Sequence, residues 1–370
     1  MSSVTGYGII GCGMMGHEHM HNIALLPDAQ VVAIFEPDAE MAAGALAIEP
    51  RAQLCRSVAE VVQHPDVDAL VIVSPNHLHV EQLHEIAALR HVPILVEKPL
   101  LTDPADIAKM TAFEQSYRAP VWVAMEYRYM PPIAAFVQEA QEATGGIVQF
   151  TLREHRFPFL HKVGDWNRFN HKTGGTFVEK CCHFFDLMRF TLGSEPSYVM
   201  AMGGQDVNHL DEEYAGQTPD ILDNGYVIVG FENGTRAMLE LCMFAEGARY
   251  QEELSATGPQ GKIEAQVPGP GRFWPDHLGA PPVPTLTISP RQPKGPVIRD
   301  IPVDPALLAA GDHNGATFYQ HQKFLELVRG TLAAPEVSLN DGKIAVMMGM
   351  AAQRSIEEKR AVFMHEMLSV

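Results

Sequence analysis

Hydrophobic positions in the first third of the chain fall into short continuous runs separated by segments of helical period. Tyr7-Gly8-Ile9-Ile10, Val31-Val32-Ala33-Ile34-Phe35, Ala69-Leu70-Val71-Ile72-Val73, Pro93-Ile94-Leu95-Val96 and Val121-Trp122-Val123-Ala124-Met125 carry no polar alternation. Strands buried on both faces read this way, which predicts a parallel sheet covered by helices on either side. Helices are predicted at 17–26, 39–48, 57–63, 77–89 and 103–116, the last opened by a Thr102/Asp103 cap. Such βαβ alternation with right-handed crossovers makes a doubly wound sheet, whose ligands lie at the carboxyl ends of the strands. Gly11, Glu36, Ser74 to Asn76 and Glu97 to Pro99 all fall at such ends.

From Arg128 the period changes. Pro131-Pro132 opens a helix predicted to run to 143, and alternating runs follow at 147–153, 197–202, 226–231, 237–244, 252–257 and 262–266. Asn233-Gly234 between two of them is a hairpin signal. Residues 267–310 are rich in proline and glycine and predict an irregular excursion with at most two edge strands, before helices at 317–329 and 341–359. The predicted architecture is an α/β domain over 1–127 and an α+β domain over 128–370, built on a large, mostly antiparallel open sheet. A sheet face without helices needs covering, so a homo-oligomer, dimer or tetramer, is expected.

The first turn carries the first piece of chemistry. Gly11-Cys12-Gly13-Met14-Met15-Gly16 follows the first strand and opens the first helix. In such a unit the first glycine permits a tight turn, the second lets a pyrophosphate approach, and the third lets helix and strand pack closely. The free N–H groups and positive dipole end of the helix would receive the diphosphate. Glu36 stands twenty positions after Gly16, where a carboxylate accepts hydrogen bonds from a ribose diol. A 2′-phosphate would be repelled there, and Pro37-Asp38-Ala39-Glu40 supplies no cation, so NAD is favoured over NADP. The cofactor set is therefore Gly11, Cys12, Gly13, Met14, Met15, Gly16 and Glu36, with Ser74, Pro75, Asn76, His79, Glu97 and Lys98 from later strand ends. Cys12 reads as a small filler. In His17-Glu18-His19-Met20-His21, His17 and His21 share a helix face but no third ligand is near. These histidines read as exposed or pocket-edge, and no metal is expected.

Composition narrows the class. Hydrophobic residues at 46% and charged residues at 19% are ordinary for a globular chain, and 370 residues suffice for two cores. A net charge of −18 argues against nucleic acid or anionic membrane as a partner. Five cysteines form neither a metal spacing nor a disulfide framework. No apolar run approaches the roughly 20 residues of a membrane span, and 6–10 already begins a fold element rather than a leader. A cytoplasmic protein acting on a small molecule is expected.

Two further stretches carry reactive groups. Glu97-Lys98-Pro99 closes a buried strand beside the cofactor turn. The run from Gly174 to Asp186, read as one helix, places Glu179, His183 and Asp186 on one side, since spacings of four and three share a face. An imidazole or amine touching a substrate hydroxyl can remove its proton as hydride leaves for nicotinamide. Between Arg153 and His183 lie six Lys/Arg against three acids, a local balance that suits an anionic or strongly polar ligand. Arg128, Arg156, Trp166, Arg168, Lys180 and His183 are the candidate substrate contacts, Trp166 by stacking on a sugar face.

With these residues in view, the chain resembles the Gfo/Idh/MocA oxidoreductases over nearly its whole length. The likeness rests on the glycine turn, Ser74-Pro75-Asn76-His77, Glu97-Lys98-Pro99, the Gly174-Gly175 stretch and a last helix opened by Asp341-Gly342. It implies a Rossmann domain followed by a β-rich domain for substrate and oligomerisation. It also implies hydride transfer between a carbinol or carbonyl of a sugar, sugar acid or inositol-like polyol and NAD or NADP. Lys98 matches the family lysine near the nicotinamide, and His183 the acid/base histidine. Glu179 replaces an aspartate common in the family, and Lys180 occupies a position apolar in many members. Two alternatives use the same fold: a redox-neutral, NAD-dependent glycoside hydrolase, and a nucleotide- or sugar-sensing regulator without catalysis. A paired Lys98 and His183 argues against the sensor.

Overall fold

A computed structural model describes residues 4–368. The first half is built from β1 (Thr5–Ile10), α1 (Met14–Ala24), β2 (Ala29–Phe35), α2 (Ala39–Ile48), β3 (Gln53–Leu54), α3 (Val58–Gln63) and β4 (Ala69–Ile72). It continues through α4 (His79–Leu89), β5 (Ile94–Val96), α5 (Asp106–Ser116) and β6 (Val121–Val123). The strands form one parallel sheet in the order β3-β2-β1-β4-β5-β6. Chain direction across the sheet reverses between β1 and β4, which opens a ligand crevice beyond their carboxyl ends. β1, β4, β5 and β6 are buried at every position, as their unbroken apolar runs require. Two helices begin later than expected. α4 is preceded by a 3-10 turn at Asn76–Leu78, and α5 starts at Asp106 after Asp103 has accepted the Ala105 N–H.

The second half begins with α6 (Pro131–Thr144) and β7 (Gln149–His155), followed by the short helices α7 (Asn170–Thr173) and α8 (Thr176–Glu179). Then come α9 (Cys182–Leu192), β8 (Pro196–Gly204), β9 (Asn224–Phe231), β10 (Arg236–Cys242), β11 (Glu252–Thr257) and β12 (Gly261–Val267). The excursion contributes two strands, β13 (Thr285–Pro290) and the edge strand β14 (Val297–Asp300), and α10 (Pro305–Ala310). The chain closes with α11 (Ala316–Val328), α12 (Leu339–Glu358) and β15 (Val362–Phe363). The nine-stranded sheet runs β14-β13-β12-β11-β7-β10-β9-β8-β15 and is antiparallel except where β7 meets β10. The Asn233-Gly234 hairpin joins β9 to β10, with Gly234 at φ 82°. No helix among the described residues is long and apolar enough to cross a membrane.

The run from Gly174 to Asp186 is not one helix. It is interrupted at Lys180 and Cys181, and the Glu179 carbonyl instead receives the Lys98 ammonium at 3.2 Å. What holds this broken segment is α12, packed against α8, α9 and β8. Gly349 in α12 makes the approach possible, because a Cβ there would lie 2.5 Å from the Phe177 carbonyl oxygen of α8. Gly349→Ala gains about 1 kcal/mol of helix propensity but must displace backbone. A net loss of ~1–3 kcal/mol, the usual cost of overpacking, is expected as a lowered denaturant midpoint. A raised midpoint would show that α12 and α8 have room to spare.

Candidate active site

The glycine turn is compressed where it meets the sheet and open where α1 begins. Gly11 stands at φ 91°, and a Cβ there would lie 2.7 Å from the Ser74 nitrogen. A Cβ on Gly16 would lie 2.6 Å from the Gly11 carbonyl, whereas one on Gly13 would meet nothing within 4 Å. That clear approach to the first N–H groups of α1 is the shape a diphosphate needs. Half-buried Glu36 sits at the rim, accepting the Cys12 N–H at 2.6 Å and the Asp38 N–H at 2.9 Å. Burial, and then Glu36, pushes the Cys12 thiol up to about 12, so Cys12 is a filler without thiolate character. Asn76 follows Ser74 at the end of β4, and its buried Nδ2 has no partner in the protein.

Two residues expected at the cofactor hold the frame instead. The His79 ring lies between the carbonyls of Pro99 at 2.8 Å and Ser74 at 3.0 Å, so it ties two strand ends together and has no atom left for a ligand. Glu97 is buried, bonded to His19 Nε2 at 2.9 Å and accepting the Lys98 N–H at 3.1 Å. The other His19 nitrogen meets His321 Nε2 at 2.7 Å. Burial opposes charge on His19, but Glu97, Glu126 and Glu18 outweigh it and raise its pKa, while burial holds His321 well below the usual value. Imidazolium, carboxylate and neutral imidazole thus form one buried chain behind Lys98. His19, expected at the surface or pocket edge, is its centre; His17 meets the Met41 carbonyl and His21 is exposed.

Beyond this frame lies a pocket walled by Met14, Met15, Lys98, Tyr127, Glu179 and His183. Lys98 brings its ammonium across to α8. Burial works against its charge, but Cys182, Glu97, Glu179 and Glu126 outweigh burial and hold its pKa above the ordinary lysine value. His183 opens α9, stacked on Tyr127 with ring centroids 4.1 Å apart, and its buried Nδ1 has no partner. Burial and the cations Lys98, Lys180, His313 and Arg156 keep it well below 6.5. A protonated lysine and a neutral histidine therefore face one space.

Lys180 also reaches the pocket, but its ammonium is bonded to Glu154 at 2.9 Å and to the Tyr127 hydroxyl. Arg156 lines the wall beside it, 3.4 Å from Glu154. Arg128, Arg168 and Trp166 do not arrive. Arg128 is locked on buried Asp186 with contacts of 2.5 and 2.6 Å, and donates to the Glu336 carbonyl. This pairing also draws Asp186 away from the pocket that Glu179 and His183 share. Arg168 is buried against Glu212 at 2.8 Å, and the Trp166 ring is covered by Lys162 at 4.5 Å. A charged group next to a motif is as readily spent on the frame as on a ligand.

Sequence reasoning did not single out Tyr127, Lys162, Glu154, Glu252, Glu18 or His313. Lys162 lies 3.7 Å from Glu179. Glu154 and Glu252 face each other across β7 and β11, and burial, then Glu154, raises Glu252 to about 7. Strand alternation could have found this pair, because each acid occupies an inward position among apolar neighbours.

An open glycine turn on a doubly wound sheet, facing an ammonium and a neutral imidazole, defines a nucleotide-dependent oxidoreductase. The chain belongs to the Gfo/Idh/MocA oxidoreductase family. Residues 5–125 match its NAD-binding Rossmann fold and 140–364 its C-terminal alpha/beta domain. It is 26% identical to the myo-inositol 2-dehydrogenase of Thermotoga maritima, over 98% of this chain and 99% of that protein. It is 24% identical to the inositol 2-dehydrogenase of Rhizobium meliloti, over 96% and 98%. The crystal structure of Lactobacillus casei myo-inositol dehydrogenase with NAD(H) and myo-inositol superposes with a TM-score of 0.73 at 20% identity, covering 97% of this chain and 96% of that one.

Arg128→Met tests the division between frame and pocket. It should cost about 3–5 kcal/mol of stability by leaving the Asp186 charge buried and unpaired, with KM unchanged in the enzyme that folds. A raised KM at wild-type stability would return Arg128 to the substrate.

Proposed function

We propose that this protein is an NAD-dependent dehydrogenase acting on a secondary hydroxyl of a cyclic polyol, sugar or sugar acid. The supporting observation is the convergence of protonated Lys98 and neutral His183 on one pocket, beside the opening at Gly13. The inositol dehydrogenases among its relatives support the substrate class.

Residues 1–127 hold the cofactor and 128–370 the substrate. Gly11 to Gly16 and Asn76 would receive NAD, with Glu36 on a ribose, and the bound nicotinamide would supply the hydride acceptor. Lys98 donates a hydrogen bond to the reacting oxygen and stabilises the charge that develops there, while unpartnered His183 takes the hydroxyl proton. In the reverse direction the same groups return it. Glu179 orients Lys98 through its carbonyl, and the aromatic stack fixes His183. Tyr198, Met200, Met202, Tyr226 and Ile228, exposed on the open sheet, form the face for a second copy, and the cytoplasm is the working compartment.

The direct assay is nicotinamide absorbance against inositols, neutral sugars and sugar acids, with NAD and NADP run separately. NAD-dependent turnover of one class is expected. Bound NAD with cleavage of a glycoside and no net reduction would mean the redox-neutral hydrolase. Bound NAD with neither reaction would mean the sensor.

Two variants probe the roles. Lys98→Met should keep NAD binding and lose at least ~10²-fold in kcat, as when a donor to the developing charge is removed. Glu36→Ala should weaken NAD and relax discrimination against NADP; an unmoved preference would take Glu36 off the ribose. The pH profile carries a sign. His183, depressed below 6.5, is neutral above that value, and Lys98, raised above 10.5, stays protonated below it. At saturating substrate kcat should therefore be flat between these limits, and a limb near 6.5 would count against His183 as the base.

A further inference from the structure

A second histidine faces the pocket and has no part in the proton transfer. His313 lies in the loop between α10 and α11, with Nδ1 2.7 Å from Glu18 of α1 and 3.6 Å from Glu126 in the turn after β6. Thr317, on the first turn of α11, places its hydroxyl 2.9 Å from Glu18 Oε1 and 2.7 Å from Glu126 Oε2. A hydroxyl has one proton to give, so it donates to one of these two carboxyl groups at a time. Glu126 is fully buried, and burial raises its pKa above the ordinary carboxylate value.

Glu18 is ionised. Burial opposes its charge, but His313, the Asp312 N–H and Thr317 bring it down to about 2. Burial likewise opposes charge on His313, and Glu126 and Glu18 outweigh it and lift the imidazole to about 9. Lys180, the other charged group acting on this ring, works against its protonation, and neighbouring Asp312 is engaged by Arg272. With Nδ1 committed to Glu18, Nε2 has no hydrogen-bond partner among the described residues. The side chain is 21% exposed in the wall of the pocket that contains Lys98, Tyr127 and His183.

We infer that His313 is a substrate-binding residue, its Nε2–H donating to an oxygen of the substrate other than the one oxidised. Glu18, Glu126 and Thr317, from three elements, fix one ring nitrogen of a residue that lines the ligand space, which is how a positioned cationic donor is built. The oxygen can be a ring hydroxyl or a carboxylate. Glu18 acts through His313 and is a positioning residue. The inference rests on the dehydrogenase reading above.

The test uses the purified enzyme with NAD, myo-inositol and glucuronate as substrates, and the variants His313→Ala, His313→Gln and Glu18→Gln. His313→Ala should raise KM by ~10- to 100-fold, the worth of one hydrogen bond to a charged group, with a smaller change in kcat. The wild-type KM should climb as pH passes about 9, as the imidazolium is lost. His313→Gln keeps a donor without a charge, so its KM should be flat through the same range. Glu18→Gln should move the wild-type rise to lower pH. A larger effect with glucuronate identifies a carboxylate partner, and equal effects identify a hydroxyl. An unchanged KM in His313→Gln, with no pH-dependent rise in the wild type, overturns the inference while leaving the dehydrogenase intact. A wild-type enzyme that oxidises no member of the polyol and sugar panel overturns both. Should His313→Ala fail to fold, the glutamine variant and the wild-type profile decide the matter.

Discussion

The ammonium of Lys98 crosses from the end of the parallel sheet to the carbonyl of Glu179, in the second half of the chain. The site depends on that contact, because it joins the strand end carrying the lysine to the helix segment carrying Glu179 and His183. A continuous helix from 176 to 192 would engage the Glu179 carbonyl in its own ladder and leave the ammonium without this partner. The break at Lys180 and Cys181 is therefore a functional irregularity. It is stabilised from outside by α12, which lies against both fragments and crosses β6 at Gly342, where a Cβ would lie 2.8 Å from the Val123 side chain. Gly342 thus sets how closely this helix approaches the first half, and Gly349 how closely it approaches α8.

Around that contact the protein buries many charges in matched sets. Glu97 with His19, Arg128 with Asp186, Lys180 with Glu154, and Glu18 with His313 are each placed in low dielectric with a partner. An unpaired member of any set would cost several kcal/mol. Position and charge state are therefore fixed together: Lys98 is held protonated by acids, while His183 is held neutral by burial among cations. Two groups of neighbouring function are pushed to opposite protonation states by one electrostatic environment, the usual arrangement for an acid and a base working as a pair.

The legible part of the fold was the part governed by backbone periodicity and local turn chemistry. Unbroken apolar runs gave the parallel sheet, alternation gave the second one, and the excursion at 267–310 contributes two strands to it, of which β14 is the edge. The glycine turn was legible for the same reason, since Gly11 and Gly16 answer to close backbone contacts within one βαβ unit. Lys98, Glu179 and His183 were singled out at sequence level, and the structure brings them into one pocket. Arg128 and Arg168 were misread because a side chain's partner lies far along the chain. Asp186 is 58 positions from Arg128, and Glu212 is 44 from Arg168. Local sequence shows that a cation is present but not what neutralises it.

His313 illustrates the same limit from the other side. Asp312-His313-Asn314 has the composition of an ordinary loop, and nothing in it marks a binding group. Its character comes from Glu18, 295 positions away, which the sequence presents as one residue of a histidine-rich helix. There the acid looked incidental and the histidines read as exposed or pocket-edge. In the folded protein His19 is frame, His21 is surface, and Glu18 is the group that charges a distant imidazole in the pocket wall. A residue's chemistry in this site is set less by its own type than by the buried partner that fixes its proton. Such partners are tertiary, and they become visible when both halves of the chain are assembled around Lys98.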